Sequence, residues 1–153
     1  AEKFGAFLPT EHRARTECLN WLFWQMGGLG PMAGQAHHFR QYASDEVPYA
    51  IKRYTDEVNR LYGVMDRRLG DVSHLAGEDY SVADMAAFPW VRSYERQGQD
   101  LAEFPNLEAW FNRISSRPAT ERAVAVGVEE RAKFDLANDS DAQSVLFGQR
   151  AAS

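Results

Sequence analysis

The sequence contains a single cysteine, Cys18, among its 153 residues. One cysteine cannot form an internal disulfide, a CxxC redox pair or a cysteine-based metal cluster. Its simplest interpretation is a small buried hydrophobic residue. Any thiol chemistry that involves this chain is therefore expected to use a thiol from another molecule.

Clustered positive charge is also lacking. The chain carries 17 Lys and Arg against 22 Asp and Glu, which gives a net charge of −5, and the basic residues are scattered among the acidic ones. Proteins that bind a nucleic-acid backbone concentrate positive charge on one face. Nucleic acid is therefore not an expected partner.

The sequence has no long hydrophobic run and no strand pattern. Its longest apolar run, at residues 21–24, is far shorter than the roughly 20 residues that span a bilayer. The first residues lack the apolar stretch of a signal peptide, so we expect a cytoplasmic protein without a membrane partner. Apolar and polar residues do not alternate, and no internal repeat occurs, which predicts an all-α fold.

Spacings of three and four between apolar residues predict helices. The clearest stripe comprises Ile51, Tyr54, Val58, Leu61, Tyr62, Met65 and Leu69. Pro48 suits the first turn of this helix, and Gly70 suits its exit. Shorter helices are expected at residues 107–114 and from Pro118 onward.

The beginning of the chain predicts an interrupted helix. Thr10 is a candidate N-cap for a helix over residues 11–26. The glycines and proline at residues 27–31 predict a kink or a short loop, followed by a helix over residues 32–42.

Residues 80–85 carry two helix-start signals. Ser81 is a candidate N-cap with Asp84 at the third helical position, and Tyr80 is placed to pack against Met85. A catalytic role for Ser81 and Asp84 is disfavoured, because no histidine lies at a spacing that suggests a partner. The following helix is apolar on nearly every side, which predicts a central, buried position.

Several motifs occur in one order along the chain: WLFWQMGGLGPM at 21–32, GQAHHF at 34–39, PYAI at 48–51, RY at 53–54, RLY at 60–62, YSVAD at 80–84, PWV at 89–91 and RPAT at 117–120. Together they resemble bacterial glutathione transferases of the Nu class, which are relatives of the yeast prion nitrogen regulator. The resemblance covers about residues 1–127.

The resemblance implies a domain organisation. Residues 1–9 look like the end of a thioredoxin-fold domain and the linker after it. Residues 10–127 look like the helical C-terminal domain of a glutathione transferase. Residues 128–153 are interpreted as an extension that either docks through the apolar cluster at 145–147 or stays mobile.

The resemblance also implies glutathione-binding residues. Asn20 matches a polar residue, often the longer Gln, that lines the glutathione site, and Arg53 matches a site arginine. Asn20 shares a helical face with Trp24, so this face could either line a cleft with an aromatic floor or simply be solvated. Arg53 lies off the apolar stripe of its helix, where most arginines are only solvent-exposed, yet a guanidinium suits the two carboxylates of glutathione. We predict Asn20, Trp24 and Arg53 as substrate-binding residues, with no catalytic residue and no metal ligand.

Two adjacent histidines do not suggest a metal site. His37 and His38 would point about 100° apart on a helix and could not chelate one ion. A structural role, or a place in the wall of the second-substrate pocket, is the better interpretation.

For the whole protein, the resemblance implies a dimeric, glutathione-dependent transferase or disulfide-bond oxidoreductase, with disulfide reduction more typical than conjugation. The thioredoxin-fold domain would supply the side chains that hold the thiol, so this chain alone is expected to be inactive. The apolar cluster at residues 21–24 covers both sides of a helix and requires a second body, either that domain or a partner subunit. The alternative is a non-catalytic, transferase-like module for protein interaction.

Overall fold

The computed structural model describes residues 1–133 and 138–148, and every regular element in that part of the chain is helical. The α-helices are α1 (His12–Trp24), α2 (Gly30–Gln41), α3 (Pro48–Asp71), α4 (Val82–Val91), α5 (Pro105–Ser115), α6 (Pro118–Ala125), α7 (Val128–Arg131) and α8 (Ser140–Phe147). A π-helical turn (Gln25–Leu29) joins α1 to α2, and 3-10 turns occur at Glu2–Phe4, Glu95–Gln97 and Leu101–Glu103. The predicted all-α class is confirmed.

The long apolar stripe lies on α3 as predicted, and its middle part is buried in the core. Val58, Leu61, Tyr62 and Met65 of α3 are buried, and Pro48 occupies the first turn. The helix passes through Gly70 and ends one residue later than the sequence predicted.

Three helix pairs dominate the packing: α2 with α3, α3 with α5, and α1 with α4. Glu17 of α1 lies 2.9 Å from Arg68 near the end of α3. The ring of Phe39, near the end of α2, stacks on Tyr54 near the start of α3, with centroids 5.6 Å apart. The α1–α2 segment therefore runs antiparallel to α3.

No loop separates α1 from α2, which corrects the short-loop alternative for residues 27–31. The backbone stays in the right-handed helical region, and the Gly30 amide donates to the Gln25 carbonyl five residues earlier. A Cβ on Gly30 would lie 2.8 Å from Gln25 Nε2 and 3.2 Å from Trp90 Nε1. Gly30 thus permits close packing against Trp90, while the helix absorbs the glycine cluster as a π turn.

The N-cap of α1 is Glu11, so the prediction of Thr10 was wrong. The Glu11 carboxylate accepts hydrogen bonds from the amides of Arg13 and Ala14, at 3.0 and 2.8 Å. These two bonds lower the pKa of Glu11. Glu11 is the residue immediately before α1, and its side chain is longer than that of Thr10. It therefore reaches the free amides of the first turn.

The capping box at Ser81 and Asp84 is confirmed. Asp84 is fully buried and also accepts hydrogen bonds from the Leu75 amide and the Trp110 indole, both at 2.9 Å. One carboxylate thus joins the loop before α4 to the start of α4 and to α5. This arrangement supports the structural interpretation of the pair.

The C-terminal extension docks in part. Phe147 of α8 packs against His38 and Tyr42, with centroids 4.7 and 5.8 Å apart, although it remains 47% exposed. Val145 and Leu146 are also exposed. Residues 134–137 and 149–153 lie outside the described residues. Within the described part of the chain, no helix has the length and apolarity needed to cross a bilayer.

Candidate functional site

The face of α1 that carries Asn20 is open to solvent. Asn20 is exposed, and its side chain has no hydrogen-bond partner among the described residues. Glu17, one turn earlier, instead accepts from Trp21 Nε1 at 3.1 Å and pairs with Arg68. The predicted stripe is therefore split, with Glu17 in a structural network and Asn20 free to contact a second body.

Trp24 is the last residue of α1 and lies next to that network. Its half-buried ring packs edge-on against Trp21, with centroids 5.1 Å apart and an interplanar angle of 65°. It lines neither of the clefts described below. The aromatic floor predicted beside Asn20 is a surface rather than a pocket in this chain.

Arg53 lies in the second turn of α3 and is available to an anion. Its side chain is 54% exposed, and its only described ion pair is a loose one of 3.8 Å with Glu57. Glu57 is held more closely by Arg60, at 2.7 and 3.0 Å, and that hydrogen bonding lowers the pKa of Glu57. Because Glu57 is engaged elsewhere, the Arg53 guanidinium remains free for bidentate capture of a carboxylate.

Asn20 and Arg53 lie towards opposite ends of the packed helices. Arg53 is about 22 Å from Arg68 along α3, at roughly 1.5 Å per residue. Asn20 lies one turn from Glu17, which is the partner of Arg68. An extended tripeptide measures about 11 Å, which is shorter than this separation, so a ligand of that size must be extended and must be met by both side chains to contact the two residues.

An aromatic cleft of about 500 Å³, here called the α2/α8 cleft, lies near the Arg53 end. His38, Phe39, Tyr42 and Phe147 contribute its rings. Phe39 also stacks on Tyr54, the neighbour of Arg53 in sequence. The cleft and the free guanidinium therefore belong to the same end of the molecule.

The two adjacent histidines diverge as the helical geometry predicted. His38 lines the α2/α8 cleft, whereas His37 does not line it and stacks on Tyr42, with centroids 5.2 Å apart. Burial lowers the pKa of His37, and the nearby charge of Arg96 adds to the effect. Within residues 1–133 and 138–148, no group of three His, Cys, Asp or Glu side chains is arranged to hold a metal ion.

A second cleft of about 490 Å³, the α4/α6 cleft, was missed by sequence reasoning. Tyr80 and Arg117 meet in its wall, with the guanidinium 3.9 Å from the ring centroid. Both belong to the motifs that carry the family resemblance, but nothing in their spacing indicates that they face each other. Phe7 completes this wall edge-on to Tyr80, in the left-handed backbone region (φ 66°) that bulky side chains rarely adopt.

Comparisons with known proteins agree on one family. The sequence pattern of the family "Glutathione S-transferase, C-terminal domain" matches residues 32–118. Disulfide-bond oxidoreductase YfcG of Escherichia coli (strain K12) is 53% identical over 124 residues, which are 81% of this chain and 58% of that protein.

Two crystal structures show the same fold. A glutathione transferase from Burkholderia graminis, with two glutathione molecules bound per subunit, has a TM-score of 0.76 and 35% identity over 82% of this chain and 55% of its own. A glutathione transferase from Pseudomonas putida, with one glutathione disulfide bound per subunit, has a TM-score of 0.76 and 36% identity over 82% and 57%. The chain thus spans a little over half the length of each of these relatives.

Proposed function

Because the chain belongs to the glutathione S-transferase C-terminal domain family, we propose that it is the helical half of a glutathione-dependent transferase or disulfide-bond oxidoreductase. The observation that carries the proposal is the 53% identity to a disulfide-bond oxidoreductase over 81% of the chain. In this proposal, residues 1–9 are the end of a thioredoxin-fold domain and the linker after it, 10–127 the helical domain, and 128–153 an extension.

Arg53 is the proposed contact for a glutathione carboxylate. Its exposure and the engagement of Glu57 by Arg60 support this role. Asn20 and Trp24 are the proposed contacts at the other end of the helix pair, where an exposed amide lies one turn from an indole. The ligand is glutathione or its disulfide, bound extended.

The reacting thiol belongs to glutathione rather than to this chain. Cys18 is fully buried in the core and cannot reach a substrate. In the reductase version of the reaction, a glutathione thiolate attacks one sulfur of a disulfide. A new sulfur–sulfur bond forms, the old one breaks, and the second sulfur leaves as a thiolate that takes up a proton.

We place the second substrate in the α2/α8 cleft. Its aromatic lining and its position at the Arg53 end of the molecule support that assignment. His38 would then form part of the pocket wall.

A homodimer and a cytoplasmic location complete the proposal. Phe23 and Met26 are one turn apart on the helix and are 68% and 61% exposed. Two large apolar side chains exposed to water side by side are typical of a surface that another molecule covers. A partner subunit would cover them. The single buried cysteine is compatible with a reducing compartment that contains glutathione.

The test is calorimetric titration of the full-length protein and of this chain with glutathione and with glutathione disulfide. Replacement of Arg53 by Ala removes a charged hydrogen bond and should weaken binding to the full-length protein by about 10- to 100-fold. The matched control is Lys52→Ala, which removes the neighbouring exposed charge and its pair with Asp56. Equal affinities of the Arg53→Ala variant and the parent would exclude the proposed role of Arg53.

Turnover assays separate the enzyme from the alternative. The full-length protein should reduce a model disulfide with glutathione, and this chain alone should not. A full-length protein that neither binds glutathione nor turns over would favour the non-catalytic interaction module, for which exposed Phe23 and Met26 would provide the contact surface.

A further inference from the structure

The aromatic side chains of the α2/α8 cleft form one connected cluster. Phe147 of α8 lies edge-on to His38, with centroids 4.7 Å apart, and its ring is 5.8 Å from that of Tyr42. His38 also lies edge-on to Phe39, with centroids 5.3 Å apart. Tyr42 is held in place from behind by His37, on which it stacks. Four rings therefore gather in the wall of one cleft of about 500 Å³.

The charge of the cleft comes from one carboxylate. Among the described residues that line the cleft, Asp45 is the only Asp or Glu, and none is a Lys or Arg. Asp45 lies between α2 and α3 and is exposed. Within residues 1–133 and 138–148, its carboxylate forms no ion pair or hydrogen bond. Its negative charge is therefore not compensated at the cleft.

Aromatic rings and an uncompensated carboxylate favour the same kind of ligand. The face of an aromatic ring is electron-rich and attracts a cation placed within about 6 Å of its centre. A carboxylate accepts a charge-assisted hydrogen bond from an ammonium group. Both features repel an anion, so the cleft should distinguish ligands by the sign of their charge.

We propose that the α2/α8 cleft selects disulfides that carry an ammonium group, with the ammonium bound by Asp45 and by the rings of Tyr42 and Phe147. This inference rests on the proposed function, because it defines the charge of the second substrate that was assigned to the cleft. Asp45 is then a specificity-determining residue.

The reaction with such a substrate has two steps. A glutathione thiolate attacks one sulfur of the disulfide, a mixed disulfide forms, and one amino thiol leaves as a thiolate that takes up a proton. A second glutathione thiolate attacks the glutathione sulfur of the mixed disulfide. Glutathione disulfide forms, and the second amino thiol leaves in the same way.

The experiment measures reduction by the full-length protein of three disulfides of similar length. Cystamine carries two ammonium groups, hydroxyethyl disulfide is neutral, and dithiodipropionate carries two carboxylates. Each kcat/KM is divided by the rate constant of the uncatalysed reaction with glutathione, because the leaving thiol changes the intrinsic rate. This normalised efficiency should be about fivefold higher for cystamine than for hydroxyethyl disulfide, and lowest for dithiodipropionate.

Two variants test the residues that produce the preference. Asp45→Asn should lower the preference for cystamine over hydroxyethyl disulfide by about threefold. Glu46→Gln is the matched control, because Glu46 is the neighbouring exposed carboxylate and does not line the cleft. Phe147→Leu should lower the preference about twofold through the loss of one ring, whereas Leu146→Ala, a change at an exposed residue outside the lining, should not.

A binding measurement separates this inference from the proposed function. Hexanediamine has the length and charge of cystamine, but carbon replaces its sulfur atoms, so it binds without reacting. In calorimetric titration of the full-length protein it should bind more tightly than hexanediol, and Asp45→Asn should remove the difference. If the protein reduces no disulfide, the proposed function fails, and this titration still decides whether the cleft selects an ammonium group.

Three results would overturn the inference. The first is equal normalised efficiency for cystamine and hydroxyethyl disulfide, and the second is an equal change of preference in the Asp45→Asn and Glu46→Gln variants. The third is equal affinity of the parent protein for hexanediamine and hexanediol.

Discussion

Replacement of Asp84 by Asn tests whether one carboxylate holds three segments together. Asp84 Oδ1 accepts from the Leu75 amide and the Trp110 indole, and Oδ2 accepts from the amide and hydroxyl of Ser81. The donor–oxygen distances are 2.9 to 3.0 Å, and the side chain is fully buried. Because Asp84 is fully buried, a donor that loses its bond there has no access to bulk solvent.

The expected cost follows from the donors. An asparagine keeps the volume and one accepting oxygen, but its amide group would face two donors of Ser81. The Ser81 hydroxyl can rotate to accept, whereas the Ser81 amide is left without a partner. One buried unsatisfied donor and the loss of charge from the remaining bonds should together cost about 2–3 kcal/mol.

The assay is urea unfolding followed by far-UV circular dichroism. The slope of unfolding free energy against urea concentration is compared between variants to detect changes in the unfolded state. Asp79→Asn is the control, because Asp79 is exposed and lies five residues away on the same segment, and it should change stability by less than about 0.5 kcal/mol. A stability loss below about 0.5 kcal/mol for Asp84→Asn would refute the reasoning, since the four bonds would then contribute almost nothing.

Three further changes test other parts of the fold. Asp66→Ala removes the carboxylate that accepts from the first amides of α5 at 2.8 and 3.0 Å, and thermal unfolding should show a loss of about 1–2 kcal/mol; an unchanged melting temperature would contradict this. Gly98→Ala should lower the free energy of unfolding by about 1 kcal/mol in chemical denaturation, because Gly98 has a φ of 75° and a Cβ there would lie 2.6 Å from Arg40. A double variant with Arg40→Ala should recover only the part of that loss that comes from the steric contact. Because burial lowers the pKa of His37 in the folded chain, the unfolded chain binds more protons as the pH falls below about 6.5. The free energy of unfolding should therefore fall between pH 7.5 and 5.5, and His37→Gln should flatten that dependence. Parallel curves for the variant and the parent would show that His37 does not contribute.

The parts of the fold that local chemistry determines could be predicted from the sequence. The stripe from Ile51 to Leu69 and the capping box of Ser81 and Asp84 each depend on spacings within one or two helical turns. The sequence therefore predicted α3 to within a residue at its end, and the start of α4 correctly. Glu11 shows the limit of that approach, because it competes with Thr10 for the same local role.

Features that depend on distant residues were not predictable. Phe104 precedes α5 without a capping side chain, and Asp66 of α3 supplies the cap from about forty residues earlier in the sequence. The Tyr80 and Arg117 pair in the α4/α6 cleft likewise forms only when α4 and α6 are in place. Arg53 was identified through family resemblance, and its availability depends on the geometry of Glu57 and Arg60, which the sequence does not specify.

The π turn between α1 and α2 also determines which way each residue of α2 faces around the helix axis. A π turn holds one residue more than an α turn, so the helix beyond it is rotated by about 100° relative to an uninterrupted helix. Deletion of Gly27, whose Cβ position is open, would let the helix rewind and turn His38 and Phe39 away from their present partners. The aromatic cleft lies about 16 Å farther along the axis, yet near-UV circular dichroism of its rings should report that distant one-residue change. The length of this segment therefore determines which residues of α2 face the cleft.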